Sequence, residues 1–330
     1  MKPYASMSLD LDDLWTYLMI HGESGWEEMP SYLDSFVPLV LDLLSDLGLT
    51  ITFFIVGKDA ARPERKALLR TIADAGHDIA SHSFRHEPWL HLYSDEELDT
   101  ELAQAEEAIE DATGKRPRGF RGPGFSLSEA TLRTLKRRGY EYDASTLPMY
   151  LGPLARHYYF QTAKLSGSDR AKRSILFGRF VDGFRPCGSY LWHLGDEQLL
   201  EIPVTTSPFL KLPFHLSYLL YASMRSHGLS NLYLDTSLGL CRLGGVAPSL
   251  LLHPLDFLGG DDVPQLAYFP AMQIAGEKKR AWARDFLAKF AERYEIVTMS
   301  GHAARASQDA LRRRSPDFGV QSPTGLSAAG

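Results

Sequence analysis

Residues 49–83 read LTITFFIVGKDAARPERKALLRTIADAGHDIASHS, and the order of patterns along them decides the fold. Leu49 to Gly57 is β-branched and aromatic, the signature of a buried strand. A helical pattern follows over 63–76, and a second strand runs from His77 to Ser83. Strand, helix and strand in close succession specify parallel neighbours joined by a crossover helix. The alternation extends both ways. Upstream lie a strand, ASMSLDL at 5–11, a loop through HGESGW, and a helix over 31–48 with Ser31 as N-cap and Gly48 as stop. Downstream come a helix over 94–114 opened by a Ser94–Glu97 capping box, a strand and turn in RGFRGPGF (118–125), a helix over 128–139, and the strand YEYDAST (140–146). From about 147 to 245 the rhythm breaks. It resumes with PSLLLHPLDF (248–257), a helix over 276–294 and EIVTMSGHA (295–303). These patterns place one domain over 1–310, with an insertion at about 147–245 and a polar, disordered tail over 311–330.

The chain has 330 residues, and a single α/β barrel fills such a length. A net charge of −6 excludes the basic footprint of a nucleic-acid binder. Two cysteines, Cys187 and Cys241, without a CxxC pair rule out a thiolate zinc site and suit a reducing compartment. The N-terminus shows no secretory h-region, and no run of about 18 apolar residues occurs. The expected location is cytoplasmic.

In parallel sheets ligands bind at the carboxyl ends of strands, and there the chemistry-bearing residues collect. SLDLDD places Asp10, Asp12 and Asp13 at the end of the first strand, with Asp10 and Asp12 on one face. SHSFRH puts His82 and His86 four residues apart after the third. Alone, the acidic run reads as a solvated loop and the histidine pair as coincidence. Together they make a site of two imidazoles and a carboxylate, leaving a position open as catalytic zinc sites do. FRGPGF ends another strand, where a stiff turn lets Arg121 brace a carboxylate. Asp143 ends the next strand. His253 lies in the apolar LLLHP, where a lone histidine is usually a core residue, but an aspartate partner makes it a tuned acid or base.

In this order the motifs resemble the NodB-homology polysaccharide deacetylases, carbohydrate esterase family 4, over about 5–146 and 246–303. The resemblance implies a distorted (β/α)7 barrel with a long insertion before the last catalytic strand. The family's common first motif is Thr-Phe-Asp-Asp-Gly. Ser8 to Asp13 is closer to a subgroup with an Asp-x-Asp arrangement, which includes cyclic-imide and allantoin-type hydrolases and lipid-linked sugar deformylases. That alignment makes Asp10 the general base and Asp12 a metal ligand with His82 and His86, and leaves Asp13 as a further candidate ligand. Arg121 holds Asp10, His253 oriented by Asp143 protonates the leaving amine, and Pro123 and Gly124 face the substrate. The implied cofactor is one divalent metal, zinc first, with cobalt, nickel or manganese as alternatives. The implied reaction removes an N-acetyl or N-formyl group from a sugar; the unmatched basic insertion suits a sugar linked to a lipid phosphate or, equally, to a nucleotide. An amidohydrolase for cyclic imides or ureides and a metal-free binding module are the other readings.

The segment without a counterpart carries its own signal. Between 151 and 185 stand Arg156, Lys164, Arg170, Lys172, Arg173, Arg179 and Arg185 against Asp169 and Asp182, and Phe209–Met224 is apolar on most faces. The apolar stretch packs as core or, with the basic run, rests on an anionic membrane through 151–224.

Overall fold

The computed structural model describes residues 2–173, 176 and 178–318. Strand β1 (Tyr4–Leu11) shows how the layers arise. Its odd positions, Ala5, Met7, Leu9 and Leu11, join the large cluster beneath the helices. Its even positions, Ser6, Ser8 and Asp10, are buried on the opposite face. The period-2 pleat thus makes one side of the strand core and the other a polar interior. In β2 (Thr52–Ile55), Phe53 joins the helix-side core and Phe54 the interior cluster with Ala80, Tyr142 and Ile202.

The sheet continues through β3 (Asp78–Ser81), β4 (Gly119–Phe120), β5 (Tyr142–Asp143), β6 (Tyr190–Leu194), β7 (Glu197–Glu201), β8 (Ser249–Leu252), β9 (Glu295–Val297) and β10 (Arg313–Arg314). Its order is β10-β6-β7-β5-β4-β3-β2-β1-β8, with β9 also on β1, and every pairing is parallel except β6 with β7. The expected α/β fold with a parallel sheet is present. Among the described residues no strand ladder closes the barrel. Instead Thr205, just past β7, donates its N–H to Ser249 O at 3.1 Å, and the Ser249 N–H reaches Thr205 Oγ1 at 2.8 Å.

Helices α1 (Leu14–His21), α2 (Leu33–Asp46), α3 (Gly57–Ala60), α4 (Pro63–Asp74), α5 (Asp95–Thr113) and α6 (Glu129–Arg137) cover the first half. The chain then forms α7 (Gly152–Thr162), α8 (Gly167–Lys172), α9 (Leu216–Ser223), α10 (His227–Leu243), α11 (Gly276–Arg293) and α12 (Met299–Ala306). The Ser94–Glu97 capping box of α5 is present in both directions and contributes about 1 kcal/mol. Tyr32, not Ser31, is the N-cap of α2, although Ser31 Oγ accepts the Leu33 N–H at 3.1 Å.

Two expectations are corrected, and the open choice for Phe209–Met224 is divided. The insertion is not irregular throughout: YLWHL and EQLLE form a hairpin around Gly195, at φ 83°, and β7 joins the main sheet beside β5. The tail is not loose up to 318. There β10 pairs with β6, Arg185 binds the Asp317 carboxylate at 2.8 Å, and Phe318 packs on Trp192. The rest of that tail, 319–330, lies outside the described residues. In Phe209–Met224, Leu216, Leu219 and Leu220 are core, while Tyr218, Tyr221 and Met224 are exposed.

Candidate metal centre and hydrolytic site

The site grows from strand ends. Asp12 follows β1, and its Oδ1 lies 2.9 Å from His86 Nε2 and 3.5 Å from His82 Nε2. The ligand atoms of the three residues fall within 4.8 Å of one another, and all three residues are buried. Asp12 Oδ1 and both ring nitrogens of His86 complete no well-formed hydrogen bond among the described residues. Buried polar groups left unpaired need an explanation. A divalent cation would supply one here, since two imidazoles and a carboxylate are a zinc-type donor set. Burial opposes charge on Asp12, yet the His86, His82 and His253 imidazoles outweigh it and hold its pKa at about 2. Burial depresses the pKa of His82 against the pull of Asp10 and Asp12, which keeps the ring available as a neutral donor.

The loop between the histidines is fixed from outside. His82 Nδ1 meets the Arg121 carbonyl at 2.7 Å, so Nδ1 carries the proton and Nε2 faces Asp12. Ser83 and His86 both adopt left-handed backbone, φ 62° and 58°. Holding that bend, the fully buried Glu101 of α5 accepts the N–H groups of Phe84 at 2.9 Å and Arg85 at 2.6 Å. The Gly57 N–H binds Ser83 O at 2.8 Å, and a Cβ on Gly57 would come within 2.7 Å of the Phe84 ring. Sequence reasoning missed Glu101. An acidic residue on the inner face of an otherwise amphipathic helix was the available signal.

Asp10 points into the same interior. Arg121 Nη1 donates to Asp10 Oδ1 at 2.5 Å and to Ser8 Oγ at 3.0 Å, while Nε binds Ala144 O at 3.0 Å. The guanidinium rests 4.1 Å over the Phe54 ring. Arg121 is thus a bolt, fully buried and aimed at one carboxylate. Pro123 is buried. Gly124 adopts φ 59° with Leu176 so close that a Cβ would come within 2.5 Å of it.

Two expected roles change. Asp13, the further candidate ligand, lies outside the ligand cluster. Its Oδ1 accepts the N–H groups of Leu14 at 2.7 Å and Tyr32 at 3.1 Å, making it the N-cap of α1. Burial raises its pKa to about 6 despite those bonds. Asp143 does not orient His253. It stands opposite Glu201 in the β5–β7 register and accepts the Ser145 hydroxyl at 2.5 Å. Ser145 Oγ in turn accepts the Gly122 N–H at 2.8 Å, so Asp143 braces the turn carrying Arg121. Burial, then the facing Asp143, pushes the Glu201 pKa well up.

The partner of His253 is Asp256, three residues on. Its Oδ2 accepts the backbone N–H of His253 at 2.8 Å and lies 4.0 Å from the ring Nδ1, while Ser217 Oγ of α9 stands within hydrogen-bond distance of Nδ1 at 3.3 Å. His215, buried, lies beside it with ring centroids 6.2 Å apart. Segment 147–245 therefore contributes to the site. Most of its basic residues are engaged within the protein: Arg156 with carbonyls of Leu176 and Gly178, Arg173 with Asp169, and Arg179 and Arg185 with Asp182.

The polysaccharide deacetylase family profile matches residues 20–142. A peptidoglycan deacetylase from Helicobacter pylori is 31% identical over 111 residues, 34% of this chain and 37% of that protein. The peptidoglycan-N-acetylmuramic acid deacetylase PdaA of Bacillus subtilis is 33% identical over 111 residues, 33% of this chain and 41% of its own. The matched stretch thus spans about two-fifths of either relative. Among solved structures, one from Mycobacterium smegmatis assigned to the polysaccharide deacetylases superposes with a TM-score of 0.61 at 20% identity, covering 94% of this chain and 93% of that one. Puue allantoinase gives 0.57 at 16% identity, with 93% and 91% covered. Over residues 20–142 the chain is similar to the polysaccharide deacetylases, and the two structures extend the likeness of fold over nearly its whole length.

Proposed function

We propose that the protein is a metal-dependent hydrolase that removes an N-acetyl or N-formyl group from an amino sugar. The observation that carries this reading is the convergence of Asp12, His82 and His86 beside an Arg121-held Asp10 and a His253–Asp256 pair, all at strand ends. A divalent cation, zinc by its donor set, would be held by Asp12, His82 and His86 and would supply Lewis-acid polarisation of the amide carbonyl. Asp10, fixed by Arg121, takes the proton of the attacking water. His253 hands a proton to the departing amine, which leaves poorly without one. Asp256 and Ser217 hold the ring for that transfer. Pro123 and Gly124 form the stiff wall on the substrate side. The test is acetate or formate release from N-acetylated and N-formylated amino sugars, free, nucleotide-linked and polyprenyl-phosphate-linked. Release from none of them, with metal bound, refutes the reading.

The Asp10-x-Asp12 spacing, which departs from adjacent aspartates, favours a second reading, hydrolysis of a cyclic imide or ureide by the same groups. Allantoin in the same panel separates the two. The free, buried thiols of Cys187 and Cys241 support action in the reducing cytoplasm. Among the described residues no helix is long and apolar enough to cross a membrane. Exposed Phe180, Phe184, Phe209 and Leu210 support a peripheral contact of 151–224 with an anionic bilayer carrying a lipid-linked substrate. Sedimentation with anionic vesicles tests it: Phe209→Ser with Leu210→Ser should abolish binding without lowering the melting temperature, and wild type that ignores such vesicles refutes the contact.

A further inference from the structure

Lys279, in the first turn of α11, is fully buried. Its Nζ donates to Leu255 O at 2.7 Å and Leu258 O at 2.8 Å and lies 3.3 Å from Met272 Sδ. All three ammonium protons therefore have partners. Next to it, Arg280 Nη1 donates to Phe257 O at 3.0 Å and to Asp262 at 2.9 Å. The first turn of α11 thus grips three carbonyls of the short stretch that follows His253. Inside that stretch sits Asp256, whose Oδ2 accepts the backbone N–H of His253 at 2.8 Å and lies 4.0 Å from its Nδ1. The Lys279 charge acts on Asp256, Asp261 and Asp262, and burial pushes its own pKa down to about 8, still mostly protonated at neutral pH.

A buried ammonium is a costly way to fill space, and an apolar side chain of similar volume usually does so better. The geometry, however, is one no apolar chain could supply: a cation that fixes two carbonyls flanking the carboxylate of the acid pair. We propose that Lys279 is a positioning residue for His253, holding the 254–258 turn so that Asp256 keeps the imidazole aimed at the leaving amine. The inference rests on the assignment of His253 as general acid.

Lys279→Met and Lys279→Arg decide it in the full-length, metal-loaded protein, with two acetamides. One, a chitooligosaccharide, leaves as a basic aliphatic amine; the other, acetanilide, leaves as a weakly basic arylamine. Lys279→Met should keep its metal and its KM and lose about tenfold in kcat on the first, a fraction of the roughly 10²–10⁴-fold a general acid supplies. The anilide should be nearly unaffected, and Lys279→Arg should recover part of the loss. An equal kcat on both substrates in variant and wild type, with only the melting temperature lowered, overturns the proposal and leaves Lys279 a structural tie. An equal loss on both substrates overturns it too. If Lys279→Met does not fold, Lys279→Arg alone decides by the same split between substrates. Wild type that binds metal yet cleaves neither amide refutes the deacetylase reading itself, a result distinct from an active wild type with an indifferent variant.

Discussion

Asp10 and Asp12 lie two residues apart, on one face of a strand end, and meet different company. Asp10 meets a guanidinium at 2.5 Å, whereas Asp12 meets two imidazoles. A carboxylate clamped by Arg121 is held in one orientation, as a base must be, and one among imidazole nitrogens is placed to share a cation. Asp10→Asn should therefore keep its metal and lose about 10²–10⁴-fold in kcat. Asp12→Asn should lose metal and activity together. Metal analysis beside steady-state kinetics checks both, and the opposite pattern would exchange the roles. At this scale the sequence was legible where a residue type is tied to a strand end. Asp10, Asp12, His82, His86, Arg121 and His253 all reach one region. The partners were not. Asp143 and His253 both end strands, but three-dimensional neighbours decide which carboxylate faces which ring. Asp256 was hidden because a three-residue turn folds it back onto His253.

The element that fixes the metal loop is α5, through one side chain. Glu101 receives two backbone N–H groups of a bend in which Ser83 and His86 take left-handed backbone. Glu101→Ala leaves those buried donors without an acceptor, at a cost of about 1–3 kcal/mol. The loop would then sample other bends, and metal affinity should fall by about 10–100-fold, as for other groups supporting metal ligands. Competition with a metal-chelating dye measures this, and an unchanged affinity would show that the loop holds its own shape. Strand–helix alternation was legible in the first half because Phe53, Phe54 and Ile79 form apolar runs broken by strong helix formers. The β6–β7 hairpin was equally marked, by Gly195-Asp196 between two apolar-rich runs. It was hidden inside a stretch whose prolines and glycines suppress helical periodicity. The division of α9 between core leucines and the site-facing Ser217 and His215 depends on where the helix docks, which periodicity alone leaves open.

Over the whole molecule, distant parts of the sheet are tied by small polar contacts, and His302 is one of the ties. Its Nδ1 meets Ser6 Oγ of β1 at 2.8 Å, and its Nε2 meets Ser189 Oγ beside β6 at 3.1 Å. Burial, aided by Arg305, lowers its pKa to about 3. The unfolded value is about 6.5, so the stability it contributes is present above that pH and is lost as the pH falls toward the folded value. Between about pH 7 and pH 5 the loss is about 2 kcal/mol for one such imidazole. Denaturant melts at the two pH values should show this slope in wild type and not in His302→Gln, whereas parallel slopes would mean that His302 takes up its proton without strain. The proposed hydrolysis depends on the cation that Asp12, His82 and His86 are placed to hold. Its most direct test is the metal content of the purified protein measured with its amide hydrolysis, before and after chelation. The prediction is about one divalent ion per chain, hydrolysis lost on chelation and restored by zinc, and both lost together in His82→Ala and His86→Ala. Full hydrolysis by metal-free protein would contradict it.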